Sequence, residues 1–288
     1  MKTALLTSGE LGLTTLRHLL TSGLIDAIAT DKNSEEIITE SKSQGLPVFI
    51  GNPRQNTFDQ FLKSNGIESI LSVNYIFIIG DQTLRNVKEA INIHGSLLPK
   101  YRGRTPHVWS IINGEQFYGI TAHRIVPEVD AGDIVLQNKY NLTDLLTGGD
   151  ILNHFQQIYP DIAYKIAHDL KNAVSFKVTE QNHSKATYFG KRTAADGRID
   201  WNWSRNRIRN WIRAQAAPYP GAFFYAKSNK FIVNKSVLTD DGFTFDQVNG
   251  TVLRIDNTDL MIKVCDGTLL LSEIKGDLSQ IQVGHILK

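Results

Sequence analysis

One cysteine, Cys265, stands in a chain of 288 residues. That scarcity excludes an internal disulfide and a cysteine-rich metal site, and it fits a reducing compartment. Long apolar runs are missing too. None approaches the roughly 18 residues that a membrane-spanning helix needs. The opening Met1-Lys2-Thr3-Ala4-Leu5-Leu6 turns polar at Thr7-Ser8-Gly9, too soon for the core of a secretory signal. Nor is there an excess of one charge. Lys and Arg number 31 and Asp and Glu 29, a net +2, so the balance demands no polyanionic partner. With 22 glycines and 8 prolines, collagen-like and low-complexity readings fall away. What remains is 41% hydrophobic and 21% charged, the mix of a globular protein with enough apolar surface to offset chain entropy. The length suits one large domain or two modest ones. A soluble cytoplasmic protein is the expectation.

The hydrophobic pattern divides the chain. Thr3 to Thr7, Ile25 to Thr30, Pro47 to Ile50 and Ser69 to Val73 read as short buried strands. Helical patterns lie between them, through Leu13, Leu16, Leu19 and Leu20, then Glu35 to Gln44, then Phe58 to Asn65. This alternation predicts an α/β, Rossmann-like, mostly parallel sheet with helices on both faces, and ligands beyond the carboxyl ends of its strands. Beyond about residue 185 the character changes. A predicted helix places Ile208, Trp211 and Ile212 on one face. Short β-type runs follow at Ala222–Tyr225, Phe231–Val233, Gly250–Ile255, Leu260–Val264 and Leu269–Ile274. They predict a smaller β-rich, barrel-like domain. The expected division is residues 1–185 and 186–288.

The turn after the first strand, Ser8-Gly9-Glu10-Leu11-Gly12, lacks the G-x-G-x-x-G spacing of a dinucleotide site. It reads either as a plain strand-to-helix turn or as one whose N–H groups meet a phosphate or substrate. The densest polar cluster is Ile91-Asn92-Ile93-His94-Gly95-Ser96-Leu97-Leu98-Pro99-Lys100-Tyr101-Arg102-Gly103-Arg104. Asn92 and His94, two apart, share one face of a strand. A neutral imidazole can take a proton near pH 7, and a carboxamide can donate to a developing oxyanion. The pair suits acyl transfer or carbonyl chemistry, although a hydrogen-bonded loop pair reads the same way. Ser96 lies in no G-x-S-x-G elbow, which argues against a Ser-His hydrolase. Downstream, Val126-Pro127-Glu128-Val129-Asp130-Ala131-Gly132-Asp133 sets acids around a turn. One of them can orient the imidazole, or the turn is simply solvated.

The run Asn92-Ile93-His94-Gly95-Ser96-Leu97-Leu98-Pro99 with Gly103, followed by Asp130-Ala131-Gly132-Asp133, resembles the folate-dependent formyltransferase family. The likeness continues through Ala186-Thr187-Tyr188, Asp196-Gly197-Arg198-Ile199-Asp200-Trp201 and Pro218-Tyr219-Pro220-Gly221-Ala222-Phe223, so it spans about residues 65 to 235. It implies 10-formyltetrahydrofolate as formyl donor, a primary amine as acceptor and no metal. It also implies a catalytic triad of Asn92, His94 and Asp130. Asn92 stabilises the oxyanion, His94 relays the proton and Asp130 orients His94. By the same resemblance Ile76, Phe77 and Ile78, Arg104, and the loop Val126, Pro127, Glu128, Val129 and Asp130 contact the folate. Read from the residues alone, Ile76 to Ile78 are equally core packing.

The acceptor is a choice between a nucleotide-linked amino sugar and the aminoacyl end of initiator tRNA. The purine-synthesis branch typically has Pro where Gly95 stands and lacks a C-terminal domain. The stretch Leu97 to Arg104, with His107, Trp109 and Ile112-Asn113-Gly114-Glu115, resembles the domain acting on UDP-aminoarabinose. A tRNA-binding barrel should be basic, yet after Arg213 there are 7 basic and 8 acidic residues. Against this, Arg205, Arg209 and Arg213 fall at i, i+4 and i+8, with Arg207 beside them. That stripe suits RNA phosphates, a solvated face, internal ion pairs, or contact with a diphosphate or a second subunit. The favoured acceptor is a 4-amino-4,6-dideoxyhexose on dTDP or UDP, feeding surface polysaccharide synthesis, with a methionyl-tRNA enzyme as the alternative. Ser8, Gly9, Glu10, Tyr219 and Tyr225 are the substrate-side candidates, the tyrosines as stacking or packing residues. A homodimer with no membrane or nucleic-acid partner completes the expectation.

Overall fold

The structure, a computed structural model, describes residues 1–54 and 56–288. In chain order the elements are β1 (Thr3–Thr7), α1 (Gly9–Leu20), β2 (Ala27–Thr30), α2 (Glu35–Ser43), β3 (Val48–Ile50), α3 (Asn56–Ser64), β4 (Ser69–Val73), α4 (Asp81–Asn86) and β5 (Glu89–His94). Next come β6 (Arg102–Gly103), α5 (Pro106–Ile112), β7 (Phe117–Arg124), β8 (Ile134–Asn141), α6 (Gly148–Lys171) and β9 (Tyr188–Phe189). The chain ends with α7 (Arg205–Ala214), β10 (Ala222–Ala226), β11 (Asn229–Thr239), β12 (Val252–Asp256), β13 (Asp259–Val264) and β14 (Gly267–Lys275).

Two compact units result. The first comprises Met1–Gly103, Gly119–Tyr140 and Asn153–Phe189, the second Arg104–Tyr118, Asn141–Leu152 and Gly190–Lys288. Segments 104–118 and 141–152 belong to the second unit because α5 packs on α7 and because Arg209 and Arg213 of α7 bond to residues 143–146.

The first unit carries a seven-stranded sheet of order β3-β2-β1-β4-β5-β7-β8. β1 to β5 pair in parallel and β7 runs antiparallel to β5. β1 and β4 are buried along their whole length, as strands covered on both faces must be. Ala4 and Leu6, two apart on β1, join Ala27, Ala29, Ile70, Phe58 and Leu62 in one core layer. The order reverses between β1 and β4, the switch point at which such sheets open a crevice.

The Gly9 and Gly12 of the first turn have structural reasons. Gly9 sits at φ +63°, and a Cβ on Gly12 would lie 2.3 Å from Thr7 Oγ1, so Gly12 lets α1 lie against β1.

In the second unit the antiparallel sheet has the order β10-β11-β14-β13-β12. The C-terminal residues close it. Gly284 and His285 bond to Val252 of β12, and Lys288 exchanges both backbone bonds with Tyr225 of β10. The tail so covers both edges, which makes the sheet a small barrel. α7 begins at a Ser204 cap that accepts from the Arg207 N–H, and it buries Ile208, Trp211 and Ile212 against this sheet.

Candidate active site

Everything central lies at the carboxyl end of β5 and on its antiparallel neighbour. Register sets Asn92 opposite His123 and His94 opposite Thr121. Opposed residues in an antiparallel pair share a face, so the face carrying Asn92 and His94 also receives His123. His123 Nδ1 donates to the Arg124 carbonyl at 2.8 Å. The neutral ring then presents Nε2 as an acceptor, and Asn92 Nδ2 donates to it at 3.1 Å. The carboxamide is thereby oriented with its NH2 end toward His123.

The backbone also holds His94. Its Nε2 meets the Tyr101 carbonyl at 2.8 Å. A carbonyl only accepts, so the proton is on Nε2 and the tautomer is set by backbone. Nδ1 is left facing Asp130 Oδ2 at 3.6 Å. Tyr101 can present this carbonyl because it adopts φ +62°, with its N–H bonded to Thr187 Oγ1 and its ring stacked on Phe189 at 5.0 Å.

Asp130 gathers both rings. Oδ1 lies 3.5 Å from His123 Nε2, Oδ2 lies 3.6 Å from His94 Nδ1, and Oδ2 accepts the Gly103 N–H at 2.8 Å. Burial alone would raise the carboxyl's pKa. The His94 charge, then His123 and the Gly103 N–H, outweigh it and hold the group well below the usual carboxylate range. In this arrangement an imidazole can relay a proton, the carboxylate can stabilise the imidazolium that forms, and the oriented carboxamide can donate to growing negative charge. Burial, and next the Asp130 charge, push the enclosed Tyr159 phenol far up, so it stays protonated. Among the described residues, no group of three or more His, Cys, Asp or Glu could hold a metal ion.

Gly95 follows His94 directly. A Cβ there would sit 2.7 Å from Phe155 Cε2 and 3.1 Å from Tyr159 Oη, both in buried rings. Gly95→Ala is expected to destabilise by about 1–3 kcal/mol through overpacking. Urea denaturation reads this, and wild-type stability in the variant would contradict it.

The loop after β4 alternates. Tyr75 and Phe77 turn inward, ring edge to face at 5.5 Å, and Ile79 is buried. Ile76 and Ile78 point outward, 39% and 46% exposed. Only Phe77 of the predicted trio therefore packs inward. Val129 on the loop after β7 is 42% exposed. Val126 is half-buried, and Pro127 and Glu128 are exposed.

Other predicted residues lie elsewhere or are already engaged. Ser8 is buried, and Glu10 is exposed. The Gly9 N–H donates to Ser34 Oγ, which donates to the buried Asp31 carboxylate. The first amide of α1 thus has an internal partner in place of a phosphate. Arg104, Tyr219 and Tyr225 belong to the second unit. Tyr219 Oη bonds His107 Nε2 at 2.6 Å, and burial pushes its pKa up to about 12. Tyr225 meets Phe223 edge-on and lies beneath Arg198.

The arginine stripe is internal. Arg205 bonds the Thr239 carbonyl and Asp240, Arg209 pairs with Asp144 at 2.8 Å, and the buried Arg213 bonds the carbonyls of Thr143 and Leu146.

Sequence reasoning missed His123 and the Tyr101 carbonyl. The signal for His123 was its place seven residues before Asp130 on a β-type run. The Tyr101 backbone left none.

Family comparison decides the class. The formyl transferase model matches residues 30–164, and the formyl transferase C-terminal domain model matches residues 191–283. The chain belongs to the formyl transferase family. Among solved structures, this formyl transferase is similar to WlaRD, a sugar 3N-formyl transferase crystallised with dTDP and 5-N-formyl-THF. The TM-score is 0.73 at 20% identity, over 96% of this chain and 99% of that one. It is also similar to an N-formyltransferase from Helicobacter canadensis in complex with folinic acid and dTDP-3-aminofucose, with TM-score 0.65 and 17% identity over 96% and 100%. A 4-N formyltransferase from Francisella tularensis gives TM-score 0.66 and 21% identity over 80% and 94%. At these identities the likeness is one of fold. Among the described residues, no helix of the formyl transferase is long and apolar enough to cross a membrane.

Proposed function

We propose that this formyl transferase moves a formyl group from 10-formyltetrahydrofolate to the amine of a nucleotide-linked 4-amino sugar, of the dTDP- or UDP-4-amino-4,6-dideoxyhexose type. The observation that carries the reading is Asp130 set between His94 and His123, with Asn92 oriented beside them. Support for the sugar class comes from neighbours crystallised with dTDP or a dTDP-sugar and with folates. Arg205, Arg209 and Arg213 each have a partner within the chain, which supports the sugar over the tRNA.

The residues suit the folate. The outward Ile76 and Ile78, with Val129, offer apolar surface of the kind a flat heteroaromatic ring covers. We assign them to the donor with Phe77, Arg104, Val126, Pro127, Glu128 and the Asp130 turn. When bound, the folate supplies the formyl group on its N10. His94 takes the proton of the acceptor amine on Nδ1, the nitrogen that the Tyr101 carbonyl leaves basic. Asp130, ionised throughout the working range, stabilises the imidazolium that forms. Asn92 has one Nδ2 hydrogen committed to His123, and the other would donate to the formyl oxygen as negative charge builds there. His94 would then return its proton to the leaving nitrogen of the donor.

On the acceptor side we assign the turn Ser8, Gly9 and Glu10, of which the exposed Gly9 and Glu10 can meet a ligand, and Tyr219 and Tyr225. We extend the reading to a catalytic domain over residues 1–185 and a β-rich domain over 186–288, in a cytoplasmic homodimer serving surface polysaccharide synthesis without membrane or nucleic-acid partners. Calorimetric titration with dTDP, UDP and charged initiator tRNA tests the acceptor class. Saturable binding of one nucleoside diphosphate and none of the tRNA is expected, and tight binding of the tRNA alone overturns the assignment.

A further inference from the structure

Gln181 and Arg102 are 3% and 1% exposed, and the mechanism above uses neither. Among the described residues Arg102 has no carboxylate partner. Its Nε and Nη2 donate to Gln181 Oε1 at 3.3 and 2.7 Å, Nη1 donates to Tyr188 Oη at 2.6 Å, and Nη2 contacts His183 Nδ1 at 3.2 Å. A buried guanidinium without a counter-ion is a costly way to fill a core, so its place calls for a reason beyond packing.

The reason lies at the other end of Gln181. With Oε1 claimed by two guanidinium nitrogens, the amide has one orientation, and Nε2 faces away. It donates to the carbonyls of Asp130 at 2.9 Å and of Gly132 at 2.6 Å. These carbonyls bracket a strained turn. Asp130 adopts φ +53°, a left-handed conformation that is strained for an L-residue. Gly132 passes so close to β7 that a Cβ would lie 2.0 Å from the Arg124 carbonyl oxygen. The same short strand that carries Arg102 also supplies the Gly103 N–H to Asp130 Oδ2. Asp130 is thus gripped by its main chain through Gln181 and by its side chain through Gly103.

We infer that Gln181 and Arg102 form a buried positioning pair that holds the turn so that the Asp130 carboxylate stays between His94 and His123. The pair acts on transfer only through Asp130, and the inference rests on the role proposed above for that residue.

Gln181→Glu separates positioning from stability. Its carboxylate keeps an acceptor on Arg102 and adds the missing counter-charge, but it sets oxygen against the carbonyls of Asp130 and Gly132. Gln181→Met keeps the volume and removes both sets of bonds. For Gln181→Glu in the full chain, the added counter-charge on Arg102 offsets part of the cost of the two lost hydrogen bonds, and the chain is expected to stay folded at the assay temperature. Its kcat should fall about 100-fold, the scale of a small misplacement, while KM for both substrates stays nearly unchanged. Nitrogen-15 signals of the His94 and His123 rings, recorded without substrates, should move in both variants. If the pair served stability alone, Gln181→Glu would keep wild-type kcat and ring signals, and that result overturns the inference. The ring signals need no substrate. A wild type inactive toward every acceptor would therefore count against the proposed function and leave this test standing.

Discussion

His94→Asn is expected to lower kcat about a thousandfold while leaving the fold intact, within the range that removal of a general acid–base group costs. His94 Nε2 is committed to the Tyr101 carbonyl, so Nδ1 is the nitrogen that exchanges protons. An asparagine can keep a hydrogen bond to that carbonyl through its NH2 group, but it offers no basic nitrogen in return. KM should change little, because the loss falls on the transition state. Steady-state rates over a range of each substrate measure this. A variant with a raised KM and near-normal kcat would make His94 a binding residue.

Asp130→Asn should be nearly as damaging, at about a hundredfold or more, and it carries a signature in pH. The carboxylate is flanked by two imidazoles and accepts from Gly103. Burial works against the ionised form, but the His94 charge, His123 and the Gly103 N–H together depress the folded-state pKa below its ordinary 3.8. A group more acidic in the folded state leaves the unfolded chain binding more protons, so stability rises with pH between the two values. The contribution is fully present above about pH 4 and is lost as pH falls through the depressed folded value. Wild type should therefore exceed Asp130→Asn in stability at pH 5 to 6, with the gap narrowing toward pH 2. Urea denaturation across that range decides the matter, and a gap that widened on acidification would reverse the sign of the argument.

Much of this was legible in the chain, for identifiable reasons. β1 and β4 are buried along their whole length, and their adjacent apolar residues, Ala4-Leu5-Leu6 and Ile70-Leu71, show without any partner known. Asn92 and His94 showed because two polar residues broke such a run at strand spacing. β7 was harder to read. It is buried along most of its length, yet it carries Gly119, Thr121 and His123, which look polar or permissive in sequence. α6 did carry a signal, with Ile151, Phe155, Tyr159, Ile162, Ile166 and Leu170 three or four apart and all buried. Gly148, Gly149 and Pro160 interrupt the picture of a helix.

What the chain could not disclose is register and backbone. The pairing of Asn92 with His123 depends on strand alignment across an interval of thirty-one residues. The Tyr101 carbonyl has no side-chain signature at all. The arginines of α7 looked like a surface because the acid and carbonyls that receive Arg209 and Arg213 come from residues 143–146, far away in sequence.

The most direct test is to incubate the purified protein with 10-formyltetrahydrofolate and a panel of dTDP- and UDP-linked 3- and 4-amino sugars and charged initiator tRNA. Mass spectrometry would follow formyl addition, with His94→Asn alongside. One formyl group added to a nucleotide-linked 4-amino sugar by the wild type, and almost none by the variant, is the predicted result. Formylation of the tRNA alone, or equal product from His94→Asn, would contradict it.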